Sequence, residues 1–421
     1  MEAIVEKAIL VGVNLGHTED FEYSMEELVN LTHACDVEVL GRITQSLQRV
    51  NPSHYIGKGK VEEVRHLVEE KDANLVIFND ELSPSQIRNL EKELDCKVID
   101  RTILILDIFA NRAKTKEAQL QVEVAELQYM LPRLVGLGQS LGRQSGGVGT
   151  KNKGTGEKKI ELDRRRIEEK ISVLKKDLEI MVAQRQIQRK KRKKLEVPVV
   201  ALVGYTNAGK STVMNSMLEA YMPEVEKKVF EKDMLFATLE TSVRNITLPD
   251  NKTFLLTDTV GFVSKLPHHL VKAFRSTLEE VAEADLLIHV VDYSNPNYLQ
   301  LIDITNQTLE DIGVKGIPTI YAYNKAELVR EDLPVVHQDD IYFSAKQGIG
   351  IQELTDMIRS HLFAQYVNCE LVIPYDQGGV VSYLNEVANV KAVSYEEEGT
   401  LMKVECKASD AEKFKKYIVN K

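Results

Sequence analysis

The stretch that most constrains this chain is Val199-Val200-Ala201-Leu202-Val203, followed without a gap by Gly204-Tyr205-Thr206-Asn207-Ala208-Gly209-Lys210-Ser211. The apolar run reads as a strand buried on both faces, and the G-x-x-x-x-G-K-S turn then hands the chain to a helix. Glycines in such a turn let backbone N–H groups close around a chain of phosphates, and the N-terminus of the helix faces their charge. Lys210 is then expected to reach the β and γ phosphates, and the Ser211 hydroxyl to hold Mg²⁺. A chance glycine-rich turn would not bring strand, loop and helix in this order.

Downstream motifs fill in the same site. Phe236-Ala237-Thr238-Leu239-Glu240 lies in a polar stretch, where a threonine can complete the Mg²⁺ shell and touch the γ phosphate; Thr238 and Thr241 both qualify by type. Phe254 to Gly261 reads as a strand ending in D-x-x-G, Asp258-Thr259-Val260-Gly261. Asp258 can hold Mg²⁺ through water, and the Gly261 N–H can approach the γ phosphate. Phe262 stands where a glutamine would orient the attacking water, so intrinsic hydrolysis should be slow unless a partner supplies the missing group or moves the loop. Two further buried strands, Asp285–Val291 and Pro318–Tyr323, follow, with a helix from about Tyr298 between them. The second ends in Asn324-Lys325-Ala326-Glu327, close to the N-K-x-D that reads guanine. Glutamate offers the same two acceptors from a side chain one methylene longer, so relaxed guanine selectivity is expected. Ser344-Ala345-Lys346 fits the last base-contacting loop, before a closing helix over Ile349–Phe363.

Around this centre the chain is modular. Its 421 residues, 43% hydrophobic, can bury several cores. The expected domains are a small α/β domain (1–110), a helical hairpin with a glycine-rich basic loop (111–195), the P-loop domain (196–364) and a small α+β module (365–421). Between Lys7 and Asp107 strand-like runs alternate with amphipathic helices, which implies a mostly parallel sheet. Ser83-Pro84-Ser85-Gln86 carries the marks of a helix start. His54 to Lys60, with Gly57-Lys58-Gly59-Lys60, reads first as a glycine turn with solvated lysines and second as an anion site.

Leu120, Val124, Leu127 and Leu131 form one heptad seam, and Ile160, Ile167, Ile171, Leu174, Leu178 and Met181 form another, so an antiparallel hairpin is expected. Pro132 should end or kink its first arm, and the second should run from Glu157 to Lys194. The connection from Gly136 to Gly156 is far longer than a hairpin needs, which marks it as functional or disordered. Net charge is −10, yet residues 151–194 hold 17 basic and 7 acidic residues, a local +10 that suits a folded RNA. Cys35, Cys96, Cys369 and Cys406 show no C-x-x-C spacing, so neither a zinc site nor a disulfide framework is expected. No apolar run is long enough to span a membrane, and a cytoplasmic monomer is the default. The tail from Glu370 carries no chemical motif; its last element reads as a helix over Ala411–Val419.

Taken together, Tyr55-Ile56-Gly57-Lys58-Gly59-Lys60, the glycine-rich loop running into Leu162-Asp163-Arg164-Arg165-Arg166, Gly204 to Ser211, Phe236-Ala237-Thr238-Leu239 and Asp258 to Phe262 resemble the HflX family of ribosome-associated GTPases. The resemblance covers nearly the whole chain. It implies Thr238 rather than Thr241 as the Mg²⁺ ligand, with Lys210, Thr238 and Gly261 acting on the transferred phosphate and Ser211 and Thr238 on the metal. GTP and GDP are the implied nucleotides, with ATP as a further substrate and a second nucleotide site near Gly57–Lys60. The implied partner is the large ribosomal subunit and its rRNA, with the hairpin loop directed at the peptidyl-transferase region and ribosomes split under stress. Two departures stand out: Glu327 replaces the usual aspartate, and Gly142-Arg143-Gln144-Ser145-Gly146 only approximates the family's Ser-Arg-x-Gly-Gly. Two other classes fit the same residues: a nucleotide-gated RNA-binding module whose turnover is incidental, and a GTP-dependent RNA remodeller.

Overall fold

In the computed structural model, residues 6–16, 21–144, 153–194, 197–222, 236, 241–265 and 281–419 are described, with only the helical backbone given for 135–144, 153–160 and 186–194. The chain divides into two units, one of residues 1–189, 232–240 and 263–276, the other of 190–231, 241–262 and 277–421.

The first unit begins with β1 (Lys7–Asn14), α1 (Phe21–Ala34), β2 (Glu38–Ser46), α2 (Lys58–Lys71), β3 (Leu75–Phe78), α3 (Pro84–Leu94) and β4 (Lys97–Asp100). The strands pair in parallel in the order β2-β1-β3-β4, which is why a helix must cross over between each. Ile9, Val11, Val76 and Phe78 fill the core against Val64 and Leu90 of the covering helices. Ser83 caps α3 in a capping box with Gln86, and Pro84 takes the first turn. At the start of α2, Gly57 N–H donates to Gln45 Oε1 at 2.9 Å, and Lys60 pairs with Glu63 at 2.7 Å.

Asp100 joins this sheet to the hairpin. Its carboxylate is fully buried and caps α4 (Arg101–Arg112) by accepting from Ile103 N at 3.0 Å. Oδ2 also accepts from Leu82 N at 3.0 Å and Tyr129 Oη at 2.5 Å, with Arg133 Nη2 at 3.4 Å. Burial and then the Asp100 charge push the Tyr129 phenol far up, which keeps it a donor. Tyr129 and Arg133 lie on α5 (Lys116–Gln144), which packs against α6 (Lys153–Lys194). The seam holds Leu120, Val124 and Leu174, with Leu127, Leu178 and Met181 beside them, as the heptads predict. Glu117 pairs with Arg185 and Glu123 with Lys170, so the helices run antiparallel. At 42 residues α6 is about 63 Å long. One expectation is corrected: α5 continues through Pro132 to Gln144 and does not end there. The seam and the Arg133 bonds bracket the proline, and such tertiary support outweighs the one backbone hydrogen bond its ring removes. The loop residues Ser145 to Asn152, Lys151 among them, lie outside the described residues, as do the side chains of Arg143 and of Arg189 to Lys194.

In the second unit, β5 (Val199–Val203), α7 (Lys210–Tyr221), β6 (Ser242–Thr247), β7 (Thr253–Asp258), β8 (Leu286–Asp292), α8 (Tyr298–Asp311), β9 (Thr319–Asn324), β10 (Val335–His337), β11 (Asp340–Tyr342) and α9 (Ile351–Leu362) build the main layer. Seven strands run in the order β10-β11-β9-β8-β5-β7-β6. The five inner strands are parallel, and β6 and β10 pair antiparallel at the two edges. β5 sits between β7 and β8, so its buried valines and leucine lead straight into the loop at the carboxyl ends of the strands, where ligands of such sheets bind.

The tail forms β12 (Tyr366–Ile373), α10 (Gly378–Val387), β13 (Asn389–Glu396), β14 (Gly399–Lys407) and α11 (Ala408–Lys413), with an antiparallel sheet ordered β12-β14-β13. Here the expected helix over 411–419 is corrected. α11 stops at Lys413 because Phe414 enters the module's core and Ile418 pairs with Leu371, with Val419 N donating to Glu370 O at 2.8 Å. The module is seated on the turn between β6 and β7, where Asn251 Nδ2 donates to Ala388 O at 3.0 Å. Among the described residues no helix is long and apolar enough to cross a membrane.

Candidate functional site

The loop after β5 closes on itself. Lys210 Nζ donates back to Gly204 O at 3.0 Å and Tyr205 O at 2.8 Å, and Asn207 turns the chain at φ +62. Gly209, at φ +95, begins α7, and a Cβ there would sit 2.2 Å from Asn324 Nδ2. Burial pushes the Lys210 ammonium down to about 8, with Asp258 pulling it back up. Such a lysine gains from any anion delivered to it.

Ser211 Oγ donates to Asp258 Oδ2 at 2.6 Å, and Asp258 is fully buried at the end of β7. A hydroxyl and a carboxylate this close, at the N-terminus of a helix, are the hard oxygen donors that Mg²⁺ takes in company with phosphate oxygens. Thr259 turns its hydroxyl to Leu202 O at 2.6 Å and Val260 is buried, so their side chains hold the turn. Gly261 lies on the loop itself: a Cβ would meet Thr206 Cγ2 at 2.7 Å and Lys210 Nζ at 3.0 Å. Phe262 extends the sheet by one bridge to Tyr205, with Thr206 N donating to Phe262 O at 2.8 Å, and its ring is buried. The apolar side chain is therefore a packing group.

On the base side, Asn324 Nδ2 donates to Ala208 O at 2.9 Å and its Oδ1 accepts from Ala345 N at 3.0 Å. Lys325 pairs with Asp292 at 2.8 Å. Ala326 is buried, while Glu327 keeps Oε2 buried with no partner among the described residues, the kind of orphaned acceptor that two donors of a guanine edge would satisfy. Ser344 is buried and bonded to Gln347 N at 3.3 Å, and Lys346 is exposed. Of the other expected residues, Phe236 is buried in the first unit, and Ala237, Thr238, Leu239 and Glu240 lie outside the described residues.

Three contributors escaped the sequence reading. Asp292 closes β8 and steers Lys325, and could have been noticed as a carboxylate at a strand end. Ser216 Oγ reaches Ala345 O at 2.7 Å from the second turn of α7. His289, on β8, is buried; desolvation and then the Lys210 charge push its imidazole down to about 3, so it is neutral beneath the loop.

A phosphate-binding loop on a parallel strand, a D-x-x-G turn lying on it and an Asn-Lys-x-acid strand end bracketing the loop define a P-loop GTPase. Family models and curated relatives agree with this class. Residues 22–110 match the model described as GTP-binding GTPase N-terminal, 112–192 the GTP-binding GTPase middle region and 199–325 the 50S ribosome-binding GTPase. The GTPase HflX of Caldanaerobacter subterraneus subsp. tengcongensis is 45% identical over 99% of this chain and 94% of its own. That of Escherichia coli K12 is 38% identical over 94% and 92%. A crystal structure of a GTP-binding protein from Sulfolobus solfataricus in complex with GDP covers 86% of this chain and 99% of its own, at 24% identity and a TM-score of 0.45. The chain belongs to the HflX family of GTPases: it binds guanine nucleotides and hydrolyses GTP.

Proposed function

We propose that this GTPase is a factor of the large ribosomal subunit that splits or recycles ribosomes in the cytoplasm, probing rRNA with the hairpin and releasing on hydrolysis. The observation that carries this reading is the segregation of charge: +10 over residues 151–194 in a chain of net −10, set on an arm whose root is pinned through Asp100. The family description of residues 199–325 as a 50S ribosome-binding GTPase supports it. The segments 1–110 and 111–195 act as the docking part, 196–364 as the motor and 365–421 as a brace.

In this reading Lys210 binds the β and γ phosphates, the loop from Gly204 to Ser211 donates its N–H groups, and Gly261 N–H contacts the γ phosphate. Asn324, Glu327 and the 344–346 loop orient the base. Ser211 and Thr238 would hold Mg²⁺, with Asp258 behind Ser211; when bound, the ion neutralises charge developing between the β and γ oxygens. Phe262 cannot orient water, so the ribosome stimulates turnover by supplying or ordering that group. Coupling requires only that the partner prefer one nucleotide form, since equal affinity for both shifts nothing. Phosphate release at multiple turnover, with and without large subunits, is the test. Stimulation of tenfold or more is expected; equal rates, together with equal co-sedimentation under GDP and a GTP analogue, would remove the proposal.

A further inference from the structure

The loop expected to contact the base is anchored on both sides of Ala345. That residue is buried in the core of the main layer, and its N–H donates to Asn324 Oδ1 at 3.0 Å. Its carbonyl accepts from Gly348 N at 3.2 Å, closing the turn, and from Ser216 Oγ at 2.7 Å. Ser344 and Ile349 tie the foot of the loop through backbone bonds of 3.1 and 3.0 Å. Ser216 belongs to a different element: it stands on α7, beyond Lys210 by about 9 Å along the helix. Val213, Met214 and Met217 of α7 are buried in the same core as Ala345, which fixes the helix against the loop. One helix of the second unit therefore touches the phosphate loop with its first turn and the proposed base loop with its second.

The serine does not need this partner. Its Oγ also lies 2.9 Å from Thr212 O, the carbonyl one turn back, so its one hydroxyl proton already has an acceptor inside the helix. The shorter contact serves the loop, because it holds the Ala345 carbonyl down on α7. Its consequence lies on the other side of the peptide. The Ala345–Lys346 bond is trans, so its C=O and N–H point in opposite directions. With the Ala345 oxygen turned onto α7, the Lys346 N–H is turned away from the helix, and among the described residues no group accepts from it. Such a donor tells purines apart: guanine carries an acceptor oxygen at position 6, whereas adenine carries an amino group there.

We infer that Ser216 is a positioning residue for guanine selectivity: by holding the Ala345 carbonyl on α7, it aims the Lys346 N–H at position 6 of the purine. The inference rests on the proposal that Asn324, Glu327 and the 344–346 loop orient the base, and it is independent of the ribosome. Glu327 addresses the N1–H and 2-amino group of that base, while Ser216 acts only through the atom at position 6. An inosine nucleotide, which keeps the oxygen and lacks the 2-amino group, separates the two.

The experiment is competitive titration of GDP, IDP and ADP on the full-length chain, without ribosomes, for Ser216→Ala, Ser216→Thr and Glu327→Ala. Ser216→Ala frees the Ala345 carbonyl and misaims one neutral donor, so GDP and IDP should each bind about fivefold more weakly while ADP changes by less than about twofold. Ser216→Thr keeps the hydroxyl on the helix and should restore both. An unchanged GDP affinity, an equal loss for GDP and ADP, a loss for GDP that IDP does not share, or no recovery in Ser216→Thr would each overturn the inference. Glu327→Ala tests the base-site reading beneath it. A lowered preference for GDP over ADP in that variant, with none in Ser216→Ala, rejects the role of Ser216 alone; no change in either rejects the base site as well. Should Ser216→Ala not fold, Ser216→Val against Ser216→Thr decides, since the two differ by a methyl for a hydroxyl: equal preference for GDP over ADP rejects the inference.

Discussion

Asn324 Nδ2 donates to the Ala208 carbonyl at 2.9 Å, so the strand end proposed to read the base also fixes the crest of the phosphate loop. Its Oδ1 completes the bracket by accepting from Ala345 N. Truncation in Asn324→Ala leaves two buried backbone groups unpaired, at about 1–3 kcal/mol each. Part of that cost falls on the folded loop, and the rest appears as lost affinity. Fluorescent GDP titration should give binding weaker by about 10- to 100-fold, while the far-UV spectrum stays native.

Glu327, proposed to read the base, keeps a buried oxygen that no group among the described residues satisfies. Guanine presents N–H donors there, whereas adenine presents a ring nitrogen that repels a carboxylate. The glutamate's extra methylene places this acceptor less tightly than aspartate would. Glu327→Asp should therefore raise the preference for GTP over ATP, by about tenfold in competitive titration. An unchanged ratio would mean the longer acid already reads guanine well.

The signals that were legible in the sequence were those set by local chain chemistry. Val199 to Val203 could only be a two-faced strand, Ser83 and Pro84 could only open a helix, and the 4-and-3 spacing from Leu120 to Leu127 found its partner seam. Pro132 does not end its helix because its penalty is local and the packing of Tyr129 and Arg133 on Asp100 is not. Strands β6 and β10 escaped because edge strands are short and half-polar. Asp292, Ser216 and His289 escaped for another reason: each acts through a neighbour remote in sequence, Lys325, Ala345 and Lys210. The Ser264 bonds to Arg101 and to Glu27 join residues 163 and 237 apart, and no local pattern marks them.

Lys210 ties nucleotide affinity to pH. Burial holds its ammonium at about 8, and phosphate oxygens at the site must raise that value by favouring the charged form. Below pH 8 the lysine is already protonated and binding takes up little. Above it, binding must take up a proton, so GDP affinity should fall with rising pH, approaching tenfold per unit. Calorimetry at pH 7.5 and 8.5 in buffers of different ionisation enthalpy should reveal greater proton uptake at 8.5. Lys210→Met should show neither the uptake nor the slope.

Lys252 holds the C-terminal module to the main sheet. Its side chain is 4% exposed, with Nζ 2.7 Å from Glu405 Oε1, 3.3 Å from Asp250 Oδ2 and over the Tyr366 ring at 5.3 Å. Burial works to raise the Glu405 carboxyl, but the Lys252 hydrogen bond and charge outweigh it and hold it below its usual range. Lys252→Met keeps the stem and deletes the charge, leaving two carboxylates facing each other across the turn. Since both retain some solvent, the loss should be about 2 kcal/mol, below the 3–5 of a sealed pair. Urea unfolding at pH 7 measures it, and adding Glu405→Gln should recover part. A carboxyl held low stabilises the fold above its unfolded-state value, and that contribution is lost as pH falls through the folded one. The gap between wild type and Lys252→Met should therefore narrow as pH drops below about 4.5; a gap constant from pH 7 to 3 would mean that Lys252 acts through packing on Tyr366 and Phe363 and not through its charge.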